Sequence, residues 1–462
     1  MNRAVATLSL LLLGCSTDWT DHLAPGPDQP DRSGGLTNVG TLDDILEHGS
    51  LGDACTRWSA GQTDPHTTLL CGKQMFFYET FGTAGIPADV VKIFVSRFPK
   101  SCGAGYAQLG MFEDPSSADH LPLGLAPGKS VSGTSAPGVA FTCASCHLGR
   151  LPDGRFSVGA PNHGYEYGKQ ILGLVLAPTL ILGVDTATHD GAAIAAIQPV
   201  IDEAAADPTL RDALLQAVLP LVGGTMPKLT VDDEGFYGAW RAGTQDFVIA
   251  PLPIDDKVHT VSKITALWGI EDTAASSMLG WTGVASSVKV FLRGFVLLGG
   301  GDVSAWPDDR LAPLAAYVQS LDAPPSPHAT DDHGRAIFND HCASCHDGPR
   351  GGGRRLFTYD ELGTDAEMKK WLDPDGTGQA CCGIAAPSDQ PLTGKLKAPR
   401  LQGLWAQTRF LHDGALDSLE QLLCVTARPG VTMPAFSDGG HRYGCDLGAS
   451  DKTALLGYLR AH

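Results

Sequence analysis

Cys143-Ala144-Ser145-Cys146-His147 and, about two hundred residues on, Cys342-Ala343-Ser344-Cys345-His346 are the same five residues. Two thiols three positions apart share one face of a helical turn. Both can therefore form thioether bonds to the vinyl groups of one haem while the adjacent His reaches the iron. Redox dithiols and zinc sites use the same Cys spacing. The His that follows directly in both copies, and an export signal at the start of the chain, favour covalent haem attachment. Two haem c groups are expected, bound by Cys143, Cys146 and His147 and by Cys342, Cys345 and His346, with the two His as iron ligands.

The chain is long enough, at 462 residues, for two or three domains, and its apolar fraction of 43% is ordinary for globular protein. A net charge of -18 argues against a nucleic-acid partner or an anionic membrane surface, while an acidic surface suits docking of a basic redox partner. Met1-Asn2-Arg3, an apolar run through Leu13 and then Gly14-Cys15 make a secretory signal. Leu12-Leu13-Gly14-Cys15 resembles the bacterial lipobox, which implies cleavage before Cys15 and lipidation of its thiol. An ordinary signal peptide with a coincidental Cys is the alternative. The expected place is the periplasmic or cell-surface side of a bacterial membrane, anchored by lipid at Cys15.

Of the 12 cysteines, those not assigned to haem or lipid are Cys55, Cys71, Cys102, Cys381, Cys382, Cys424 and Cys445. In an oxidising compartment most of these should pair, and the odd count leaves at least one out. Cys424 with Cys445 is a plausible pair, and the Cys55, Cys71, Cys102 group can hold another. Adjacent Cys381 and Cys382 could join only in a strained ring.

The organisation expected along the chain is a signal peptide over 1–14 and a Pro-, Gly- and Asp-rich tether over 15–40. An N-terminal haem domain with extensions follows over 41–320, then a Pro-rich linker over 321–330 and a C-terminal cytochrome c domain over 331–462. Within the first domain, the apolar segment Ile171 to Val184 is too short and too broken by Gly173 and Pro178 to cross a membrane; it reads as a buried wall or a greasy channel. Residues 190 to 222 have the spacing of one or two covering helices. The fold class is mainly α: two cytochrome-c-like haem domains with long irregular loops, given 56 Gly and 31 Pro.

The two domains also repeat each other. Ala266-Leu267-Trp268 followed by Leu279-Gly280-Trp281-Thr282-Gly283 parallels Gly403-Leu404-Trp405 followed by Phe410-Leu411-His412-Asp413-Gly414. Pro313 to Val318 and Ala454 to Leu459 each place a small residue beside a Tyr, which lets terminal helices cross closely. Where the second domain has His412 the first has Trp281, which cannot ligate iron. The two haems should therefore differ at the sixth position.

With its two haem motifs and the Trp405 to Gly414 stretch followed by Ser418-Leu419, the chain resembles the bacterial di-haem cytochrome c peroxidase superfamily. Leu121-Pro122-Leu123-Gly124, Gly159-Ala160-Pro161-Asn162 and Glu361-Leu362-Gly363-Thr364-Asp365 look closest to its haem-dependent rubber-oxygenase-like branch. The resemblance implies an N-terminal haem where oxygen or peroxide is activated and a C-terminal haem that relays electrons from a small redox protein. Trp268 and Trp281 are the catalytic candidates beside the first haem, where their indoles could also bridge electron flow between the haems. Peroxidases of this group carry a Gln and a Glu shortly after the position of Trp281, the Glu serving as general acid-base. Between Trp281 and Asp302 this chain has neither, and only Lys289 and Arg293 are ionisable there. That departure shifts weight toward an oxygenase-like or purely electron-carrying role.

For the sixth position of the second haem the candidates are His412 and Met433, with His412 favoured. The ligand Met of the peroxidases falls where this chain has Thr426. Met433-Pro434 nevertheless resembles the Met-Pro string of small cytochromes c. At the first haem, His163 in its Gly-Pro loop is a candidate resting-state ligand. An open site beside Trp268 and Trp281 is the alternative.

Overall fold

The computed structural model describes residue 23 and residues 31–83, 85–130, 135–183, 188–189, 191–218, 241–246, 261–270, 279–283, 285–372, 393–430 and 436–462. Cys15, most of the tether, Cys381, Cys382 and Met433 lie outside the described residues. The architecture is mainly α, as expected, with short two- and three-stranded antiparallel sheets between the helices and long irregular connections. No helix among the described residues is long and apolar enough to cross a membrane.

The order of the chain repeats a simple device. The Pro65–Tyr78 helix, capped by Asp64 and opened by Pro at its first position, packs against the Asp308–Gln319 helix. The Asp332–His341 helix, capped by Asp331, packs against the Ala449–Arg460 helix. In both crossings a glycine sits at the contact. A Cβ on Gly72 would stand 2.1 Å from the Pro313 carbonyl oxygen and 2.6 Å from Cβ of Tyr317. A Cβ on Gly334 would stand 2.0 Å from the Ala454 carbonyl oxygen and 2.8 Å from Cβ of Tyr458. The small residue that permits the close approach is thus on the first helix of each pair. The expectation had placed it beside the Tyr of the last helix.

Gly334→Ala is expected to destabilise the protein by ~1–3 kcal/mol through overpacking, because the neighbours are backbone and Cβ atoms that cannot swing away. Alanine's advantage in a helix, about 1 kcal/mol over glycine, offsets only part of this. The midpoint of denaturant unfolding reads the effect, and an unchanged midpoint would show that the two helices can separate freely.

The repeat continues after the crossings. Leu279 bridges Ala285 and Phe410 bridges Leu416, so each half closes a loop of the same length. In each half a serine then caps the next helix: Ser287 accepts from the Val290 N–H, and Ser418 from the Gln421 N–H. Trp281 and His412 therefore occupy equivalent positions, as the sequence alignment of the two halves requires.

The remaining elements are an extension of the first half. The helix Tyr167–Leu182 buries Ile171, Leu172, Leu174, Leu176 and Ala177 against the Ala88–Arg97 helix and the covering helices Gly191–Ala206 and Pro208–Val218. The apolar segment thus forms the buried wall that was one of its two readings. The fold also takes in residues ahead of Thr41: Val39–Gly40 pairs with Phe156–Val158, and Leu36 is buried. The strand Phe156–Val158 in turn pairs with Leu148–Arg150, directly after the first Cys-His stretch.

Cys55 is joined to Cys71 and Cys424 to Cys445, while Cys102 is a buried free thiol. Each disulfide closes a short loop, worth roughly 3 kcal/mol in the chain-entropy account. Cys143, Cys146, Cys342 and Cys345 remain free.

Candidate haem-binding cavity

Cys143–His147 forms a single helical turn that follows the strand Gly138–Phe141. The turn is built in on every side. Thr142 Oγ1 donates to the Phe77 carbonyl at the end of the Pro65–Tyr78 helix, and Thr142 N–H donates to the Gly124 carbonyl. Behind it, the Gly159–Asn162 loop takes up the carbonyls that a one-turn helix leaves free: Gly159 N–H donates to His147 and Asn162 N–H to Cys146. Two of the sequence strings that carried the family resemblance thus close around the first motif.

The second motif is delivered by the Asp332–His341 helix, whose last turn runs into Cys342 through a Cys342 N–H bond to the Phe338 carbonyl. His346 Nδ1 lies 2.6 Å from the Gly351 carbonyl oxygen. A carbonyl only accepts, so the proton is on Nδ1 and the lone pair is on Nε2, the nitrogen that could take a metal. His147 lacks such an anchor on Nδ1, which is buried without a partner in ordinary hydrogen-bond geometry.

Both histidines face one continuous cavity of about 360 Å³. Burial pushes His147 down to about 4 and lowers His346 as well, which keeps both imidazoles neutral and able to bind a metal. Burial also pushes the thiols of Cys143 up to about 12 and of Cys146 and Cys342 up to about 11. Redox dithiols and zinc-binding cysteines need the opposite shift, toward thiolate. The four thiols are unpaired although the chain forms disulfides elsewhere, which leaves them available for thioether attachment of haem.

The other expected site residues fall into three groups. Trp268 and Trp281 both line the cavity. Trp268 is 1% exposed, donates through Nε1 to the Val158 carbonyl, and packs its ring edge against Gly403 of the second half. Trp281 is only partly buried, lies under the Lys263 ammonium at 5.5 Å, and accepts from the Lys397 N–H through its carbonyl.

His163 is not on the cavity wall. Its Nε2 lies 3.0 Å from the Ile264 carbonyl in its own half and its Nδ1 accepts from the Thr408 N–H of the second half at 3.0 Å, so both ring nitrogens are engaged. In this arrangement it has none left for iron.

His412 does line the cavity, but its Nε2 lies 3.5 Å from Asp365 and its Nδ1 3.4 Å from Thr364 Oγ1. The third resemblance string, Glu361 to Asp365, supplies both partners. Burial pulls the imidazole down, yet the Asp365 hydrogen bond and the Asp413 and Asp365 charges outweigh it and the net shift is upward. Asp413 accepts from the Ala415 and Ser437 N–H groups, and burial raises its carboxyl to about 6. His412, Asp365 and Asp413 bring their ligand atoms within 4.8 Å of one another, so His412 stays a candidate metal ligand, as the sequence preference has it.

The residue that reasoning from sequence missed is His441. It lines the cavity opposite His346, with ring centres 6.4 Å apart, and its Nδ1 is buried without a partner. Burial and the neighbouring His346 push it down to about 4. The two histidines are near enough that His346 and His441 could together hold one metal ion. The only signal in the sequence was a His after Gly439-Gly440.

Asp302, the one carboxylate near the end of the Trp281 loop, is exposed and accepts from the N–H and hydroxyl of Ser304. Arg293 pairs with Asp308. Neither offers an acid-base group to the cavity.

No family model matches the chain, and no curated protein matches it. Among solved structures, one described as Kuenenia stuttgartiensis hydrazine synthase pressurised with 20 bar xenon is similar at 16% identity and a TM-score of 0.27, over 49% of this chain and 79% of that one. The functional reading therefore rests on the residues of this chain.

Proposed function

We propose that the protein is an exported, lipid-anchored di-haem c-type cytochrome of the di-haem peroxidase superfamily, nearest its rubber-oxygenase-like branch, and that it acts as an oxidoreductase on oxygen or peroxide. The observation that carries the reading is that His147 and His346, each from a Cys-Ala-Ser-Cys-His stretch with free thiols, face one cavity from two halves built alike. Haem iron, when bound, supplies one-electron chemistry and a site for oxygen or peroxide.

The chain's own residues divide the labour. Cys143, Cys146 and His147 hold the first group, and Cys342, Cys345 and His346 the second. Gly351 orients His346, and His441 closes the far side of the second site. At the first site the indole of Trp281 cannot ligate iron and His163 spends both ring nitrogens on Ile264 and Thr408, so that side stays open to a small oxidant. Trp268, packed between Val158 and Gly403, joins the two halves with an aromatic ring and excludes water. The rival reading is an electron carrier without turnover; a first site whose candidate ligand His163 is engaged elsewhere favours the enzyme.

Carbon monoxide titration of the reduced protein tests this. One iron per chain is expected to bind and the other to stay low-spin; two identical low-spin haems would refute an open first site. Turnover of hydrogen peroxide is expected to lie roughly two to four orders of magnitude below that of a family peroxidase, because no carboxylate among the described residues lines the cavity. Asp302→Asn should leave this low rate unchanged, since Asp302 only caps an exposed turn.

A further inference from the structure

A second cavity, of about 330 Å³, lies in the extension of the first half. The helices Ala88–Arg97, Tyr167–Leu182 and Gly191–Ala206 meet the loop around Cys102 there. Among the described residues, none that lines it also lines the cavity faced by His147 and His346. Ala195 and Pro199 on its wall are exposed, so it is reached from solvent at that side.

Two observations mark this space as more than a packing fault. Gly173 lines it from within the Tyr167–Leu182 helix, is itself buried, and a Cβ there would meet no atom within 4 Å. At Gly72 and Gly334 a partner backbone demands the glycine. Here no close approach does, although glycine is poorer than alanine inside a helix, and interiors are otherwise close-packed. Gln170 stands three residues earlier, on the same face of that helix, and also lines the cavity. It is 1% exposed, its Oε1 accepts from the Tyr165 hydroxyl, and its Nε2 is buried without a partner. A buried amide donor left unpaired costs free energy that an acceptor oxygen on an occupant would restore.

The wall sets the rest of the occupant's chemistry. Phe94, Leu174, Ile197 and Val200 are buried and apolar, and burial pushes the Cys102 thiol up to about 12, so it adds soft apolar surface and no thiolate. Lys169 is paired with Glu166 and Lys100 is exposed, so neither charge is confined in the cavity. An empty cavity of about 150 Å³ takes a benzene ring, so this one has room for roughly a dozen non-hydrogen atoms.

We propose that this cavity binds a small apolar molecule carrying one hydrogen-bond-accepting oxygen, and that Gln170 Nε2 donates to that oxygen. The site is separate from the candidate haem-binding cavity and does not depend on the two-haem reading.

Benzylacetone and isopentylbenzene share a shape and differ at the ketone oxygen; both are titrated calorimetrically into the full chain and its variants. Benzylacetone is expected to bind the wild type saturably, at a site that Gly173→Leu abolishes by filling the space. Gln170→Met keeps the side-chain volume and removes the donor. It should weaken benzylacetone about tenfold, the effect of one buried hydrogen bond, and leave isopentylbenzene no weaker. Thermal melting checks that each variant is folded, and the two positions test the site independently. A wild type that does not take up benzylacetone overturns the proposal, the cavity then holding water only. So does benzylacetone binding that survives Gly173→Leu, which would place the probe elsewhere, or a Gln170→Met change that weakens both probes alike or neither.

Discussion

Cys143→Ala combined with Cys146→Ala is expected to cut the haem content from two to one per chain and to abolish carbon monoxide binding altogether. Each thioether bond needs its own thiol, and the turn that presents both is held by Thr142, Gly159 and Asn162 rather than by the haem. The protein should therefore still fold, with its remaining haem low-spin and its second half intact. The paired change Cys342→Ala and Cys345→Ala should give the reverse: one haem that still binds carbon monoxide. Haemochrome stoichiometry and carbon monoxide difference spectra read both variants. Loss of carbon monoxide binding from the second pair and retention in the first would show that the open iron belongs to His346.

His441→Ala is expected to convert the second haem from low-spin to high-spin and to raise carbon monoxide binding from one iron per chain to two. The His346 ring is anchored through Gly351 and should keep its own bond to iron, so the change is confined to the opposite side. His412→Ala should leave the low-spin spectrum in place, because His412 is engaged by Asp365 and Thr364. If His412→Ala opens the iron and His441→Ala does not, the ligand favoured from the sequence is the right one. Met433→Ala separates the third possibility by the same measurement.

The mainly helical class, the Cys424–Cys445 bond and the equivalence of Trp281 with His412 were legible in the sequence, as was the repetition of the Cys-Ala-Ser-Cys-His stretch. Each is carried by spacing along the chain. Cys-x-x-Cys-His puts its ligands within one turn, apolar periods mark helices, and two copies of one unit can be aligned without knowing how either folds. The role of glycine in the helix crossings was only half legible. Sequence shows a small residue near a Tyr in the terminal helices, but which glycine meets the partner backbone depends on how the helices cross.

What tertiary structure alone decided are the contacts between segments far apart in the chain. His441 faces His346 across nearly a hundred residues of sequence. His163 spends both nitrogens on Ile264 and Thr408, and His412 is claimed by Asp365. A histidine's chemistry is set by which neighbours reach its two nitrogens, and no local pattern reports that.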